Sequence, residues 1–289
     1  MNIYLFGAST TTDDYPAFTD FPAQGWGYRL KDYFDSSVEI INLSVAGWSL
    51  KALMNVSYAP FTELIQQCPE SYSDASKSPW AYLLSVIKQG DYIVLGGTSV
   101  NELWRTDMGW QESVEEYKKR LTECCNILIE RGAIPIVVTN ATSMRVHGFV
   151  KEYENIKYDI YKEFCGRIIL VDILNEFYSE YEKGIYSEDD FVTKYFRSKK
   201  TLENYYKRYG YIGNRFSRYF GRNPDEYKTD EVHLCVEGAL RQSSIFIQKL
   251  KECVKEIAGH IIKTELDMDE CIRNDISVMA QKIKNLDKK

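Results

Sequence analysis

Short apolar runs alternate with longer amphipathic stretches through residues 1–175. The apolar runs are rich in aromatic and β-branched residues, which predicts buried β-strands. These strands are Asn2–Phe6, Val38–Leu43, Tyr92–Leu95, Ile134–Thr139 and Ile168–Val171. The periodicity between them predicts helices near Tyr28–Phe34, Trp80–Lys88, Gln111–Arg131 and Val150–Cys165. Because strands and helices alternate, we expect an α/β fold in which a parallel five-stranded sheet lies between two helical layers, a flavodoxin-like α/β/α arrangement.

Residues 174–228 have a different pattern. This segment is rich in tyrosine, with helical stretches and no clear strand, and we interpret it as a lid inserted over the edge of the sheet. Between Arg197 and Arg222 it carries eight basic side chains and one acidic one, Glu203. The basic side chains could pair with carboxylates of an acidic glycan while the tyrosines stack on sugar rings. The alternative is a solvated helical face whose tyrosines form a small core of the lid itself.

The last part of the chain predicts a turn and two helices. The stretch DEVHLCVEGALRQSSIFIQKLKECVKEI is typical of a turn followed by a long helix. Beyond residue 260, apolar residues at spacings of four, three, four and three predict an amphipathic helix; they are Ile272, Ile276, Met279, Ile283 and Leu286. This stripe packs on its own domain or forms the seam of a homodimer, and both alternatives stay open. We therefore divide the chain into a domain of residues 1–260, lid included, and a C-terminal helix of residues 261–289.

Composition narrows the choice of partners. The net charge of −6 argues against a protein that coats nucleic acid, because phosphate binding requires a basic surface. The start of the chain shows no basic segment followed by an apolar one, and no apolar run reaches bilayer length, so we expect a cytoplasmic protein without a membrane partner. The seven cysteines are scattered, with no Cys-x-x-Cys, and the three histidines lie far apart. This pattern predicts reduced thiols, with neither disulfides nor a metal site.

Candidate chemistry follows the first strand, where the turn GASTTT carries small residues and hydroxyls. Site residues of parallel sheets gather at the carboxyl ends of the strands, which favours Ser9 as a nucleophile; the alternative is that it caps the following helix. His233 is the candidate base, because Asp230 three residues earlier can hold its Nδ1 while Nε2 takes a proton. His147 follows another strand end and is the substitute base, and we expect His260 at the surface.

Six short motifs resemble the sequence blocks of the SGNH, or GDSL-like, hydrolases, and within that family the branch of rhamnogalacturonan acetylesterase and related carbohydrate esterases. They are LFGAST, QGWGYRL, INLSVAGWSLKAL, KQGDYIVLGGTSVNELW, IPIVVTNAT and DEVHLCVEGA. The resemblance covers residues 1–173 and 229–250 and leaves out the lid and the tail. Two positions depart from the family pattern: Ala8 stands where the family has aspartate, and Asn101 lies two residues farther from Gly97 than in the family's Gly-x-Asn-Asp.

The resemblance implies a serine esterase with an SGNH fold that needs no metal or organic cofactor. In that family pattern Ser9 is the nucleophile, His233 the base, and Asp230 the carboxylate that supports the base. The backbone N–H groups of Ser9 and Gly47 and the side chain of Asn101 are then the donors of the oxyanion hole. Losing one such donor typically costs about 3 to 4 kcal/mol of barrier.

Five further residues enter as candidates. Ser99 or Thr98 supplies the third oxyanion donor if Asn101 does not reach the site. Trp26, Trp48 and Thr10 lie within the matching motifs and are the candidate substrate-binding residues, since aromatic faces stack on sugar rings. We expect the protein to remove a short acyl group, acetyl in the first place, from a carbohydrate or a related small ester.

Two alternatives share the same fold. An O-acyltransferase would use the same serine, base and oxyanion hole with another acceptor in place of water. A carbohydrate-binding homologue without turnover is kept open by the irregular spacing of the third block. A nicotinamide enzyme is disfavoured because no Gly-x-Gly-x-x-Gly is present, and the Gly-x-Ser-x-Gly elbow of α/β-hydrolases is absent too.

Overall fold

A parallel five-stranded sheet forms the centre of the computed structural model, which describes residues 1–12, 24–57, 74, 76–209 and 230–286. Its strand order is β2-β1-β3-β4-β5. The strands are β1 (Asn2–Gly7), β2 (Glu39–Asn42), β3 (Tyr92–Gly96), β4 (Ile134–Val138) and β5 (Ile169–Val171). The prediction of a parallel sheet of five strands is confirmed, and each predicted strand lies within two residues of its observed bounds.

Helices cover both faces of this sheet. They are α1 (Leu50–Asn55), α2 (Pro79–Val86), α3 (Ser99–Trp104), α4 (Val114–Glu130), α5 (Met144–Phe164), α6 (Ile173–Glu182), α7 (Glu188–Tyr195), α8 (Lys199–Tyr209), α9 (Val236–Cys253), α10 (Lys255–Ala258) and α11 (Met268–Leu286). Successive side chains of a strand point to opposite faces. Accordingly Tyr4 and Phe6 pack with α1, α2, α4 and α5, whereas Ile3 and Leu5 pack with α6, α7 and α9. The fold is therefore a three-layer α/β/α sandwich, as expected.

Two helices differ from their predicted bounds for local reasons. The segment predicted as a helix over Tyr28–Phe34 contains only a short 3-10 helix, Leu30–Tyr33. Helix α5 begins at Met144, six residues before its predicted start, because the Ser143 hydroxyl accepts the N–H of Val146 and caps it there.

A two-stranded antiparallel sheet pairs the lid with the segment that precedes the last long helices of the chain. Strand β6 (Phe196–Arg197) pairs with β7 (Asp230–Leu234), with Phe196 opposite Leu234. The sequence predicted no strand in the lid and a turn at Asp230, and both predictions were wrong here. A two-residue strand is too short to show a period of two, so the pairing had no sequence signal.

Aromatic side chains of the lid join the core. Phe177, Phe191, Tyr195 and Phe196 are almost fully buried, and the ring centroids of Phe177 and Tyr195 lie 5.0 Å apart. These four side chains pack in one cluster with Ile3 and Leu5 of the central sheet, so they belong to the core of the domain and not to a separate core of the lid. Residues 210–229, which carry the last three basic side chains of the predicted patch, lie outside the described residues.

The C-terminal helix α11 contacts the rest of the domain through its first half. Ile272 is fully buried in a cluster with Tyr205 and Val236, and Ile276 packs against the same cluster. The remaining stripe residues, Met279, Ile283 and Leu286, lie outside the described side chains. The homodimer stays a prediction.

Within the described part of the chain, no helix has the length and apolar character needed to cross a membrane. The six described cysteines are free thiols, four of them buried; Cys165 and Cys253 are exposed, and Cys68 lies outside the described residues.

Candidate active site

Ser9, His233 and Asp230 form a hydrogen-bonded chain. The Ser9 Oγ lies 2.9 Å from His233 Nε2, and His233 Nδ1 lies 2.5 Å from Asp230 Oδ2. The tautomer that satisfies both contacts has Nδ1–H donating to the carboxylate and the serine hydroxyl donating to Nε2. In this arrangement a histidine can take the serine proton while the carboxylate stabilises the imidazolium that forms. The structure thus brings the three predicted triad residues together.

Asp230 is held in its ionised form. Burial raises the pKa of this carboxyl, but the hydrogen bond and the charge of His233, with the N–H groups of Val232 and His233, outweigh that effect and set the pKa well below its usual range. Arg197 on β6 also approaches, with its Nη1 4.0 Å from Asp230 Oδ2. The carboxylate is therefore a permanent negative charge behind the imidazole at neutral pH.

The turn after β1 presents Ser9 at the edge of the sheet. The Ala8 carbonyl accepts the N–H groups of Thr11 at 2.8 Å and Thr12 at 3.1 Å, which closes the turn around the serine. Gly27 packs directly against this turn, since a Cβ there would lie 2.0 Å from the Thr11 carbonyl oxygen. That close approach explains why the QGWGYRL motif needs a glycine at this point. Ser9 itself remains 7% exposed, so its hydroxyl is reached from one side only.

Gly47 and Asn101 lie side by side at the ends of β2 and β3. Gly47 has φ +77°, in the left-handed region that glycine adopts without strain. The Asn101 amide Nδ2 donates to the carbonyl oxygen of Trp48, the residue after Gly47, at 2.9 Å. Helix α3 therefore brings Asn101 next to the Gly47 turn despite its longer spacing from Gly97.

A fully buried ion pair lies behind these loops. On α5, Lys157 Nζ is 2.8 Å from Glu154 Oε2, and both side chains are at most 1% exposed. The Glu154 carboxylate also accepts the Asn140 N–H at 2.9 Å and the Ser99 hydroxyl, and Lys157 donates to Ser99 Oγ at 3.2 Å. One ion pair thus connects the loop after β4 to the first residue of α3.

Asn140 also contacts the turn that carries Ser9, because its Oδ1 accepts the Thr10 hydroxyl at 3.4 Å. Sequence reasoning missed Glu154, Lys157 and Asn140. A signal was present: Glu154 and Lys157 occupy positions of the α5 stripe that otherwise buries apolar side chains such as Ile160. Charges at core positions are rarely fully buried unless paired, and such a pair indicates a special role.

A second buried carboxyl, Glu102, lies beside the Gly47 loop. It follows Asn101, is fully buried, and accepts the N–H of Leu50 at 2.5 Å. Burial raises the pKa of Glu102 to about 8, although the Leu50 hydrogen bond acts in the opposite direction. This carboxyl binds the first N–H of α1, at Leu50, and so stabilises the start of the helix that follows the Gly47 turn.

The predicted substrate-binding residues are buried. Trp26 and Trp48 are each 1% exposed; the Trp26 ring packs 4.9 Å from that of Phe246, and the Trp48 ring 5.5 Å from that of Trp110. Thr10 is 2% exposed. A side chain enclosed in the core offers no face for a sugar ring, so this geometry corrects the prediction of direct substrate contact for all three.

The other histidines lie elsewhere. His147, the substitute base, packs edge-on against Tyr178 with ring centroids 5.5 Å apart, and burial lowers its pKa. His260 contacts Asp35 and Ser37 through Nδ1, at 3.1 and 2.8 Å, on the outside of the fold. Among the described residues, no group of three histidine, cysteine, aspartate or glutamate side chains is arranged to hold a metal ion.

Solved structures share this fold. The Bacillus subtilis protein YXIM has a TM-score of 0.58 at 19% identity, over 89% of this chain and 57% of its own. A catalytic mutant of an acetylxylan esterase from Geobacillus stearothermophilus has a TM-score of 0.50 at 12% identity, over 86% of this chain and 93% of its own. The chain therefore shares the three-layer α/β/α fold of these two proteins. It spans little more than half of the YXIM chain, and at these identities the likeness concerns the fold alone. No family model and no curated protein matches the sequence.

Proposed function

We propose that this protein is an SGNH-type serine esterase that removes a short acyl group, in the first place acetyl, from a carbohydrate. The observation that carries the proposal is the 2.9 Å contact between Ser9 Oγ and His233 Nε2, with Asp230 behind the imidazole. A nucleophilic mechanism requires this contact, whereas the packing of the fold does not require it.

The proposed reaction has two stages. Ser9 Oγ attacks the ester carbonyl as its proton passes to His233 Nε2, and the N–H groups of Ser9 and Gly47 with the Asn101 amide stabilise the oxyanion. The imidazolium returns the proton to the departing alcohol oxygen, which leaves an acyl group on Ser9. A water molecule, deprotonated by His233, then releases the carboxylic acid and restores the serine.

One observation supports the acyl class: an acetylxylan esterase shares the fold. We extend it to an acetylated carbohydrate as the substrate, in keeping with the sequence resemblance to the rhamnogalacturonan acetylesterase branch.

Hydrolysis of p-nitrophenyl acetate, with butyrate and octanoate esters for comparison, tests the proposal. We expect the acetate ester to be the best substrate, and Ser9→Ala and His233→Ala to fall to background. His147→Ala and His260→Ala are matched controls. Each makes the same substitution at a histidine outside the Ser9–His233–Asp230 chain, and both variants should retain turnover. A Ser9→Ala variant as active as the wild type would refute the assignment, and activity lost in His147→Ala but kept in His233→Ala would transfer the base to His147.

A further inference from the structure

A cavity of about 440 Å³ lies in the lid, separate from the Ser9–His233 pair. It is open to solvent on one side and is lined by residues of α7, α8, the first turn of α9 and the start of α11; none of the triad residues lines it. Glu237, which lines the cavity, follows His233 by four residues, so the cavity lies next to the end of strand β7. The volume falls in the range of small-molecule sites, about 300 to 1,000 Å³.

Helix α8 presents two parallel rows of side chains to this cavity. Lys200, Asn204 and Arg208 recur every four residues and so share one face of the helix, over a length of about 12 Å. Beside them run Thr201, Tyr205 and Tyr209, also four apart, and the rings of the two tyrosines stack with centroids 5.9 Å apart. Tyr205 is largely buried and Tyr209 is half-buried, so the wall combines hydrogen-bonding groups with an aromatic surface that comes mainly from Tyr209.

The tyrosine hydroxyls are anchored at the back of this wall. Tyr205 Oη accepts the N–H of Glu237 at 3.3 Å, and Tyr209 Oη donates to Asp269. Their positions are therefore fixed by the domain, and the aromatic surface does not depend on a bound ligand for its shape. Preformed aromatic surface reduces the entropy lost when a ligand binds.

The charges of the lining nearly balance. Three cations, Lys194, Lys200 and Arg208, stand against two carboxylates, Asp190 and Glu237. Lys194 lies 3.7 Å from Glu237, and Arg208 lies 3.0 Å from Asp269, a carboxylate outside the lining. This differs from the expectation that basic lid side chains would attract an acidic glycan, because the cations that line the cavity are offset by carboxylates. A strongly anionic ligand gains little net attraction in such a site.

We propose that this cavity binds a neutral saccharide. Sugars carry many hydroxyl groups that both donate and accept hydrogen bonds, which suits a lining of amide, ammonium, hydroxyl and carboxylate groups whose cations are largely offset by carboxylates. Their ring faces are apolar enough to pack on tyrosine. The inference deepens the proposed function and rests on it for one point only, that the bound sugar belongs to an acetylated substrate; binding itself requires no catalysis.

Calorimetric titration of the full chain with xylotetraose and cellotetraose tests this inference, with trigalacturonate as the acidic comparison. We expect saturable binding of at least one neutral tetrasaccharide, weaker binding of trigalacturonate, and unchanged affinity in Ser9→Ala. Asn204→Ala removes one hydrogen-bonding group and should weaken binding about tenfold. Asn204→Trp places a bulky indole in the cavity and should abolish saccharide binding. Lys207→Ala, an exposed substitution on the same helix outside the lining, is the matched control.

The outcomes separate the two proposals. No binding of either neutral saccharide, tighter binding of trigalacturonate, or binding that survives Asn204→Trp would overturn the saccharide site, whatever the esterase assay shows. An inactive esterase whose saccharide affinity still responds to Asn204→Ala would overturn the proposed reaction and leave the binding site standing. Asn204 is exposed, so the alanine variant keeps the test valid even if the tryptophan variant fails to fold.

Discussion

The two sides of the candidate active site are held by different forces. On the nucleophile side, Ser9 and Asn101 follow strands of the central sheet, and the buried Glu154–Lys157 pair ties the loops behind them to α5. On the base side, His233 and Asp230 lie on strand β7, and their side chains are about one quarter exposed. Core burial positions the nucleophile, whereas hydrogen bonds within one strand position the base.

This difference predicts different consequences of mutation. Changes on the base side should reduce turnover and leave the fold intact, because few buried groups depend on Asp230. Changes on the nucleophile side should disturb stability and turnover together, since the same groups serve both.

Asp230→Asn should produce the largest kinetic effect. Replacing the carboxylate removes the charge that stabilises the imidazolium and lets His233 adopt the wrong tautomer, so we expect kcat for p-nitrophenyl acetate to fall roughly 10³- to 10⁴-fold. Thermal unfolding at neutral pH should change little by comparison. A variant that keeps more than a tenth of wild-type turnover would show that Asp230 does not support the base.

Glu154→Gln should give the largest loss of stability. It leaves the Lys157 ammonium buried without its counter-ion, which typically costs about 3 to 5 kcal/mol, and urea unfolding measures this directly. The double variant Glu154→Leu with Lys157→Met removes both charges and should be close to wild type in stability, yet slower in turnover because Ser99 and Asn140 lose their acceptor. Equal stability of wild type and Glu154→Gln would contradict this account of the ion pair.

Asn101→Ala tests the irregular third block with a smaller expected effect. If its amide is an oxyanion donor, kcat should fall roughly 10²- to 10³-fold with little change in KM. Thr98→Ala is the comparison, since Thr98 was an alternative donor from the sequence. A larger fall in Thr98→Ala than in Asn101→Ala would reassign the third donor.

Glu102→Gln should change the pH dependence of stability. Between the ordinary value of 4.5 and about 8, folded Glu102 keeps a proton that the unfolded chain has released. Its contribution to stability is therefore complete below pH 4.5 and is lost as pH rises to 8, by at most about 1.4 kcal/mol per pH unit. Unfolding midpoints measured from about pH 5 to 9 should decline less steeply in Glu102→Gln than in the wild type. Parallel pH profiles would show that Glu102 is already ionised in the folded protein at the acidic end of that range.

The sequence predicted the strands of the nucleophile side better than those of the base side, although it identified Ser9, His233 and Asp230 alike. Buried strands such as Tyr92–Gly96 have a strong apolar signal, and their carboxyl ends locate Ser9 and Gly47 by a general property of parallel sheets. The pairing of β6 with β7 has no such signal in the sequence. It joins residues far apart in the chain, and β6 has only two residues.

Burial explains the remaining errors in the site. Residue type and motif predict Trp26 and Trp48 as ligand contacts, but an indole also packs well in a core. The positions of Glu154 and Lys157 in the buried stripe of α5 can be read from the sequence, but their partners Ser99 and Asn140 cannot, because these lie far away in the chain.

The span between Ser9 and His233 also affects the protein during its synthesis. These two residues are 224 positions apart, so at translation rates of about 5 to 20 residues per second the ribosome adds the histidine roughly 11 to 45 seconds after the serine. The proposed nucleophile is therefore synthesised well before its proposed base, and any hydrolytic activity has to wait until both segments have emerged and strand β7 has paired with β6.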